Sequence, residues 1–147
     1  MNADAINNVL RARCRGFLGV FAADRLPSRL PPTRPILLVA NIDAHDKPGQ
    51  HWVALYIGRD SRGEYFDSLA QKPIDRFKRY LDRFCNSWIQ NERQLQSAVS
   101  YFCGHYAIFY CLYRSLGYSL GDILNCFGRD TGLNDYIVHN VVCRGIM

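Results

Sequence analysis

Cys103-Gly104 opens a long apolar segment of this 147-residue chain, with Gln96 shortly before it, Asp67 closing the run Glu64-Tyr65-Phe66-Asp67, and His51-Trp52 further upstream. These residue types are the parts of a thiol-based acyl-transfer centre. A thiol attacks a carbonyl as the thiolate, so a nucleophilic cysteine needs an imidazole beside it, and the imidazole needs a carboxylate to fix its tautomer and ring orientation. His51 and Asp67 are the candidates for those two roles, with Cys103 as nucleophile. Gln96 adds an oxyanion donor, because its side-chain N–H can share the charge of a tetrahedral intermediate with the backbone N–H of Cys103. The bland readings are a buried structural cysteine, a hydrogen-bonded strand histidine, a turn aspartate and a surface glutamine; Glu64 is a rival acid, and His105 a weaker rival base.

The elements that must position these residues follow from periodicity. Ile6, Leu10 and Cys14 recur at helical spacing, which predicts an amphipathic helix from Ala3 to about Arg15, capped by Asn2 or Asp4 and ended by Gly16. The proline cluster from Pro27 to Pro35 reads as a surface loop, and the apolar run Ile36 to Ala40 as a buried strand. Strands at about Trp52 to Ile57 and Glu64 to Phe66 flank the polar stretch Gly58 to Gly63, a hairpin loop. Antiparallel pairing then brings His51, at the entry of one strand, and Asp67, at the exit of the next, to the same end of the sheet.

Phe77, Leu81, Phe84 and Trp88 predict one helical stripe between Pro73 and Trp88. Arg93 to Gln96 reads as a strand or extended loop. Cys103 to Leu116 is apolar on every side and is expected to be the central helix, with Cys103 at its N-terminus, where the macrodipole favours thiolate. Two further helices are expected, from about Ser119 to Phe127 and from about Asn134 to Val142.

Composition bounds the class. At 48% hydrophobic and 21% charged residues, the chain fits a single globular domain spanning 1–147. No run reaches the roughly 18 apolar residues of a membrane span, and Asn2, Asp4 and Asn7 do not make a signal-peptide layout, so an intracellular protein is expected. The six cysteines form no Cys-x-x-Cys pair, and no paired histidine spacing accompanies them, so neither a metal site nor a disulfide framework is expected. The net charge is +5. Arg76, Arg79 and Arg83 share one face of the predicted helix opposite Phe77, which is either a solvated basic face or a sequence-independent surface for double-stranded DNA.

Gly49-Gln50-His51-Trp52, the stretch ending in Phe66-Asp67, Gln96-Ser97 and Ser100-Tyr101-Phe102-Cys103-Gly104 resemble the adenovirus-type cysteine protease (adenain) family and its relatives in DNA viruses and large DNA transposons. Gly16-Phe17-Leu18-Gly19-Val20-Phe21 is similar to that family's N-terminal stretch. The order His, Asp, Gln, Cys also separates the chain from papain-like proteases, where Cys leads. The resemblance implies an α+β fold with a small mixed β-sheet packed on a helix headed by Cys103, and cleavage of viral capsid or core precursors near small residues such as glycine. It further implies a monomer acting in the host nucleus or the virion, stimulation by DNA, and an activating peptide that pairs with Cys85 through a disulfide. Two features depart from the family: the acid is Asp67 where adenoviral enzymes carry Glu, and the C-terminal end is short. Aspartate is the acid of the SUMO- and ubiquitin-deconjugating branch, which makes an isopeptidase the second expectation, although that branch usually has Asp where Phe102 stands. An inactive DNA-binding assembly module is the third.

Overall fold

The computed structural model describes residues 1–146. In chain order the elements are α1 (Ala3–Arg13), β1 (Phe17–Phe21), β2 (Ile36–Asn41), β3 (Trp52–Ile57), β4 (Arg62–Phe66), α2 (Asp75–Phe84), β5 (Ser87–Gln90), α3 (Cys103–Ser115), α4 (Leu120–Leu124) and α5 (Thr131–Ile146). The strands form one five-stranded sheet in sequential order. β2, β3 and β4 pair antiparallel, while β1 joins β2 and β5 joins β4 in parallel, so the sheet is mixed as expected. Helix α2 makes the crossover that a parallel β4–β5 pair requires.

Both faces of the sheet are covered, which is why every residue of β2 is buried rather than every second one. Leu37, Val39, Ala54 and Phe66 face a core built with α1, α3, α4 and α5; Leu38, Ala40, Val53, Leu55 and Tyr65 face Phe77 and Leu81 of α2. Helix α3 is the central element of the first layer, with Tyr106, Ile108, Tyr110 and Cys111 fully buried. Asn2 caps α1 by accepting a hydrogen bond from the Ala5 N–H at 2.9 Å, and Ser119 and Asp122 close a reciprocal capping box on α4.

Several boundaries differ from the sequence reading; α4 stops at Leu124 rather than Phe127, and α5 runs Thr131–Ile146 rather than Asn134 to Val142. Helix α2 stops at Phe84, where Cys85 turns extended, and Trp88 belongs to β5, in register with Gly63 on β4. Its apolar indole mimics helical spacing, but strand pairing decides its conformation. Pro73 lies before the helix, whose N-cap is Ile74. The β3–β4 connection is tighter than the six residues expected: the Gly58 N–H donates to the Arg62 carbonyl and the Ser61 N–H to the Gly58 carbonyl. Phe17–Phe21 forms an edge strand whose register shifts near Gly19, an irregularity that hides the period-two pattern.

A largely buried ion pair fastens α3 to the sheet. Arg114 Nε and Nη2 each donate to a carboxylate oxygen of Glu64 at 2.9 Å, the Tyr110 hydroxyl donates to the same carboxylate, and the guanidinium stacks 4.0 Å from the centre of the Tyr56 ring. Such a pair exists at the cost of desolvating both ions, so loss of one partner strands the other. Arg114→Ala is therefore expected to lower unfolding free energy by about 3–5 kcal/mol, and Glu64→Leu with Arg114→Met by less. Denaturant melts decide this; a loss for Arg114→Ala below about 0.5 kcal/mol would show that α3 is held by apolar packing alone.

Candidate active site

The antiparallel register Ala54 to Phe66 leaves His51 just before β3 and Asp67 just after β4, side by side at one end of the sheet. His51 Nε2 lies 2.6 Å from Asp67 Oδ1, with both residues buried. Nδ1 is left to serve Cys103, the first residue of α3, which packs against that end of the sheet. Asp67 is itself held: its Oδ1 accepts the Leu69 N–H at 2.8 Å, its own N–H donates to Asn91 Oδ1 at 3.0 Å, and its carbonyl accepts from Asn91 Nδ2 at 2.7 Å. Gly104 packs closely here: a Cβ would come within 3.3 Å of Trp52 Cδ1 and of Met1 Cβ, which would have to shift by a few tenths of an ångström.

These contacts set the charges. Burial alone would push the His51 imidazole down, but the hydrogen bond to Asp67 and then that to Cys103 lift it to about 9. Burial likewise opposes a thiolate at Cys103, yet the His51 bond, the Trp52 N–H and the Gly104 N–H outweigh it and hold the thiol below its ordinary range. Both shifts favour the charged pair, an imidazolium beside a thiolate, over the neutral one. No side chain caps α3, so its first N–H groups are left to face this negative charge.

Gln96 is buried at 2% exposure, with its orientation fixed at both ends. Its Oε1 accepts from the Ser68 hydroxyl at 2.6 Å and its Nε2 donates to the Ser100 carbonyl at 3.0 Å, leaving the second N–H of the amide uncommitted. The surrounding segment has no regular structure and is tied down by side chains. Arg93 donates to the carbonyls of Leu124, Phe127 and Gly128; Asn134 Nδ2 donates to the Leu95 carbonyl; and Asp135 accepts from the Tyr106 hydroxyl at 2.8 Å and the Ser97 N–H at 3.4 Å. Ser68, Asn91, Asn134 and Asp135 were missed in the sequence. The one available signal was Asn134-Asp135 heading a segment that carries Ile137, Val138, Val141 and Val142, because polar groups in a packing face need partners.

The rivals fall away on placement. Glu64 is engaged by Arg114 and Tyr110 on the core side of the sheet. His45 pairs with Asp24 in an exposed loop. Burial, followed by the neighbouring His139 and the N-terminus, pushes His105 down to about 4, which makes it a poor base beside His51. Cys85 is buried, its sulfur so close to Gly63 that a Cβ there would lie 2.5 Å away. Arg76, Arg79 and Arg83 are exposed on α2, in the opposite layer from Cys103, and line a shallow cavity with Asp24 and Tyr80. A cavity of about 740 Å³, bordered by Arg15, Arg34, Arg59 and Arg114, lies at the other end of α3. Next to His51, a smaller groove of about 420 Å³ is lined by Trp52, Gly49, Asn41 and Val20.

No family model and no curated protein sequence matches the chain. Solved structures do. ASFV pS273R protease matches with a TM-score of 0.62 at 17% identity, over 84% of this chain and 59% of its own. ChlaDub1 from Chlamydia trachomatis matches at 0.55 and 17%, over 75% and 58%, and the SUMO protease Ulp1 at 0.50 and 14%, over 100% and 79%. The chain thus has the fold of the ubiquitin-like and SUMO protease type of cysteine protease, shared with ASFV pS273R protease. It spans about half the length of the ASFV protein, between 44% and 59% of the two chains matched.

The site predicts its own reactivity. Cys103 should be alkylated by iodoacetamide at neutral pH ahead of Cys14, Cys85 and Cys111, whose thiols burial pushes up. In His51→Ala the pH dependence at Cys103 should rise towards that of an ordinary thiol, about 8.5. Peptide-resolved mass spectrometry of the labelled protein checks both, and a Cys103 profile indifferent to His51 would separate the two residues.

Proposed function

We propose that this chain is a cysteine endopeptidase of adenain type, cleaving precursor proteins of a virus or virus-like element near small residues such as glycine. The observation that carries it is the buried His51–Asp67 pair meeting Cys103 at a helix N-terminus. The Cys103 thiolate attacks the scissile carbonyl. The Cys103 N–H and the free N–H of Gln96 receive the oxyanion; His51 then protonates the departing amine, and water, deprotonated by His51, releases the acyl group. An open groove beside Trp52, rather than a deep cavity, suits an extended peptide with little side-chain bulk at the cut.

Deconjugation of a ubiquitin-like protein through its Gly-Gly tail is the second reading. Asp67 as the orienting acid favours it, as does the fold's likeness to the SUMO protease Ulp1. Two electrophilic probes separate the readings: labelling of Cys103 only by a short peptide ending in Gly supports the precursor protease, and labelling by ubiquitin or SUMO carrying a C-terminal electrophile supports the deconjugase. An absence of labelling by either, in reduced protein, would favour an inactive assembly module.

Nucleophile and base act as a unit, so Cys103→Ala and His51→Ala should each abolish turnover, and the double variant should be no worse. Gln96→Ala should cost about 10²–10³ in kcat. Turnover of a peptide substrate by each purified variant provides the check; full activity in Cys103→Ala would end the proposal.

The activating peptide and DNA rest on the family resemblance and remain proposals. At Cys85 a mixed disulfide would require the α2–β5 connection to open, because the sulfur is packed on Gly63. Non-reducing mass analysis with candidate precursor peptides tests it. For DNA the expected outcome is weak, sequence-independent binding through Arg76, Arg79 and Arg83, with log K falling by about 0.9 per decade of salt for each phosphate neutralised. Reversal of the three arginines to Glu should abolish it in a low-salt titration; unchanged binding would reduce α2 to a solvated face.

A further inference from the structure

Behind the nucleophile, α3 and α5 bring together three side chains that the triad does not use. His105 lies two residues past Cys103 in the first turn of α3, and His139 and Cys143 are four residues apart on one face of α5. One ligand atom from each falls within 4.8 Å of the others. Cys143 Sγ is 3.6 Å from His139 Nδ1. That separation matches the edge of a tetrahedral zinc site, where Zn–S of about 2.3 Å and Zn–N of about 2.0–2.1 Å place neighbouring sulfur and nitrogen about 3.6 Å apart. The imidazoles of His105 and His139 are 5.3 Å apart at their centres, and Phe102 packs against both, at 5.2 and 5.4 Å.

A second observation points to a ligand. Nδ1 of His105 is buried without a hydrogen-bond partner. Buried polar atoms are rarely left so, and the tilted contact of the two rings gives that nitrogen nothing to bind. His139, by contrast, is exposed and Cys143 partly so, which gives an ion a path from solvent to the buried nitrogen.

We propose that His105, His139 and Cys143 form a binding site for a zinc-class divalent metal, with an open fourth position for water. Two imidazoles and one thiolate are a donor set suited to Zn²⁺ or Co²⁺ and poorly suited to Mg²⁺ or Ca²⁺. On binding, the Cys143 thiol gives its proton to solvent, and the bonds formed are two metal–nitrogen and one metal–sulfur. The ion clamps the first turn of α3 to α5 and fixes Phe102, the residue immediately before Cys103. The sequence concealed the site because His105 is remote from the His139/Cys143 pair along the chain.

The proposal is independent of catalysis and is tested in full-length Cys103→Ser protein, which removes the competing thiolate. Titration with Co²⁺ should saturate at one equivalent, with a sulfur-to-metal charge-transfer band and tetrahedral visible bands that Zn²⁺ displaces. Adding Cys143→Ser should remove the charge-transfer band. His105→Asn and the exposed His139→Gln should each weaken binding by more than the about 10- to 100-fold typical of losing an outer-shell partner. Circular dichroism of the metal-free variants shows whether each is folded, and Zn²⁺ should raise the melting midpoint of the Cys103→Ser protein but not of its His139→Gln derivative. Absence of the charge-transfer band, its persistence after Cys143→Ser, or affinity unchanged by both histidine substitutions in folded protein would overturn the site.

Discussion

A charged imidazole that has been taken out of water must have its partners fixed before it can exist, and this constraint organises the structure around His51. Burial drives the ring towards neutrality; the 2.6 Å contact with Asp67 and then the neighbouring Cys103 reverse that preference. The carboxylate can do so only if it does not swing away. Asn91 therefore grips the backbone of Asp67 on both sides, and the Leu69 N–H satisfies the carboxylate oxygen that faces His51.

From that requirement the roles of the larger elements follow. Antiparallel β3 and β4 supply His51 and Asp67 from their matching ends, so the pair needs no mobile loop to meet. Helix α3 delivers Cys103 with its unpaired N–H groups, and its opposite end is anchored by Arg114 to Glu64, fixing both the depth and the rotation of the helix. The apolar residues between these anchors are buried on the sheet, which makes the distance from nucleophile to base a property of the core. Gln96 is the exception: it stands on irregular backbone, and its precision comes from Ser68, Ser100 and the side chains of α5.

Those differences explain what could be read from the chain. His51, Asp67 and Cys103 are legible because each sits at the end of an element that the sequence marks clearly: the apolar run of β3, the short β4 behind the polar Gly58–Gly63 stretch and the continuously apolar α3. The central helix was legible for the same reason, whereas the mixed sheet was expected from the family resemblance. Trp88 was misread because an apolar residue at the right interval satisfies a helix and an adjoining strand equally, and only pairing with Gly63 decides. Strand β1 was hidden by Gly19. The supports Ser68, Asn91, Asn134 and Asp135 act through contacts distant in sequence, as does the cluster of His105 with His139 and Cys143, and no local pattern announces such contacts.

The central claim is that Asp67 keeps the buried His51 ring protonated through neutral pH beside Cys103. Nitrogen-15 NMR titration of the histidine side chains measures this directly. In the unmodified protein the His51 ring should stay protonated through neutral pH and lose its proton near 9, and in Asp67→Asn that midpoint should fall. A His51 ring that titrates near the ordinary value of about 6.5, unaffected by Asp67→Asn, would contradict the account.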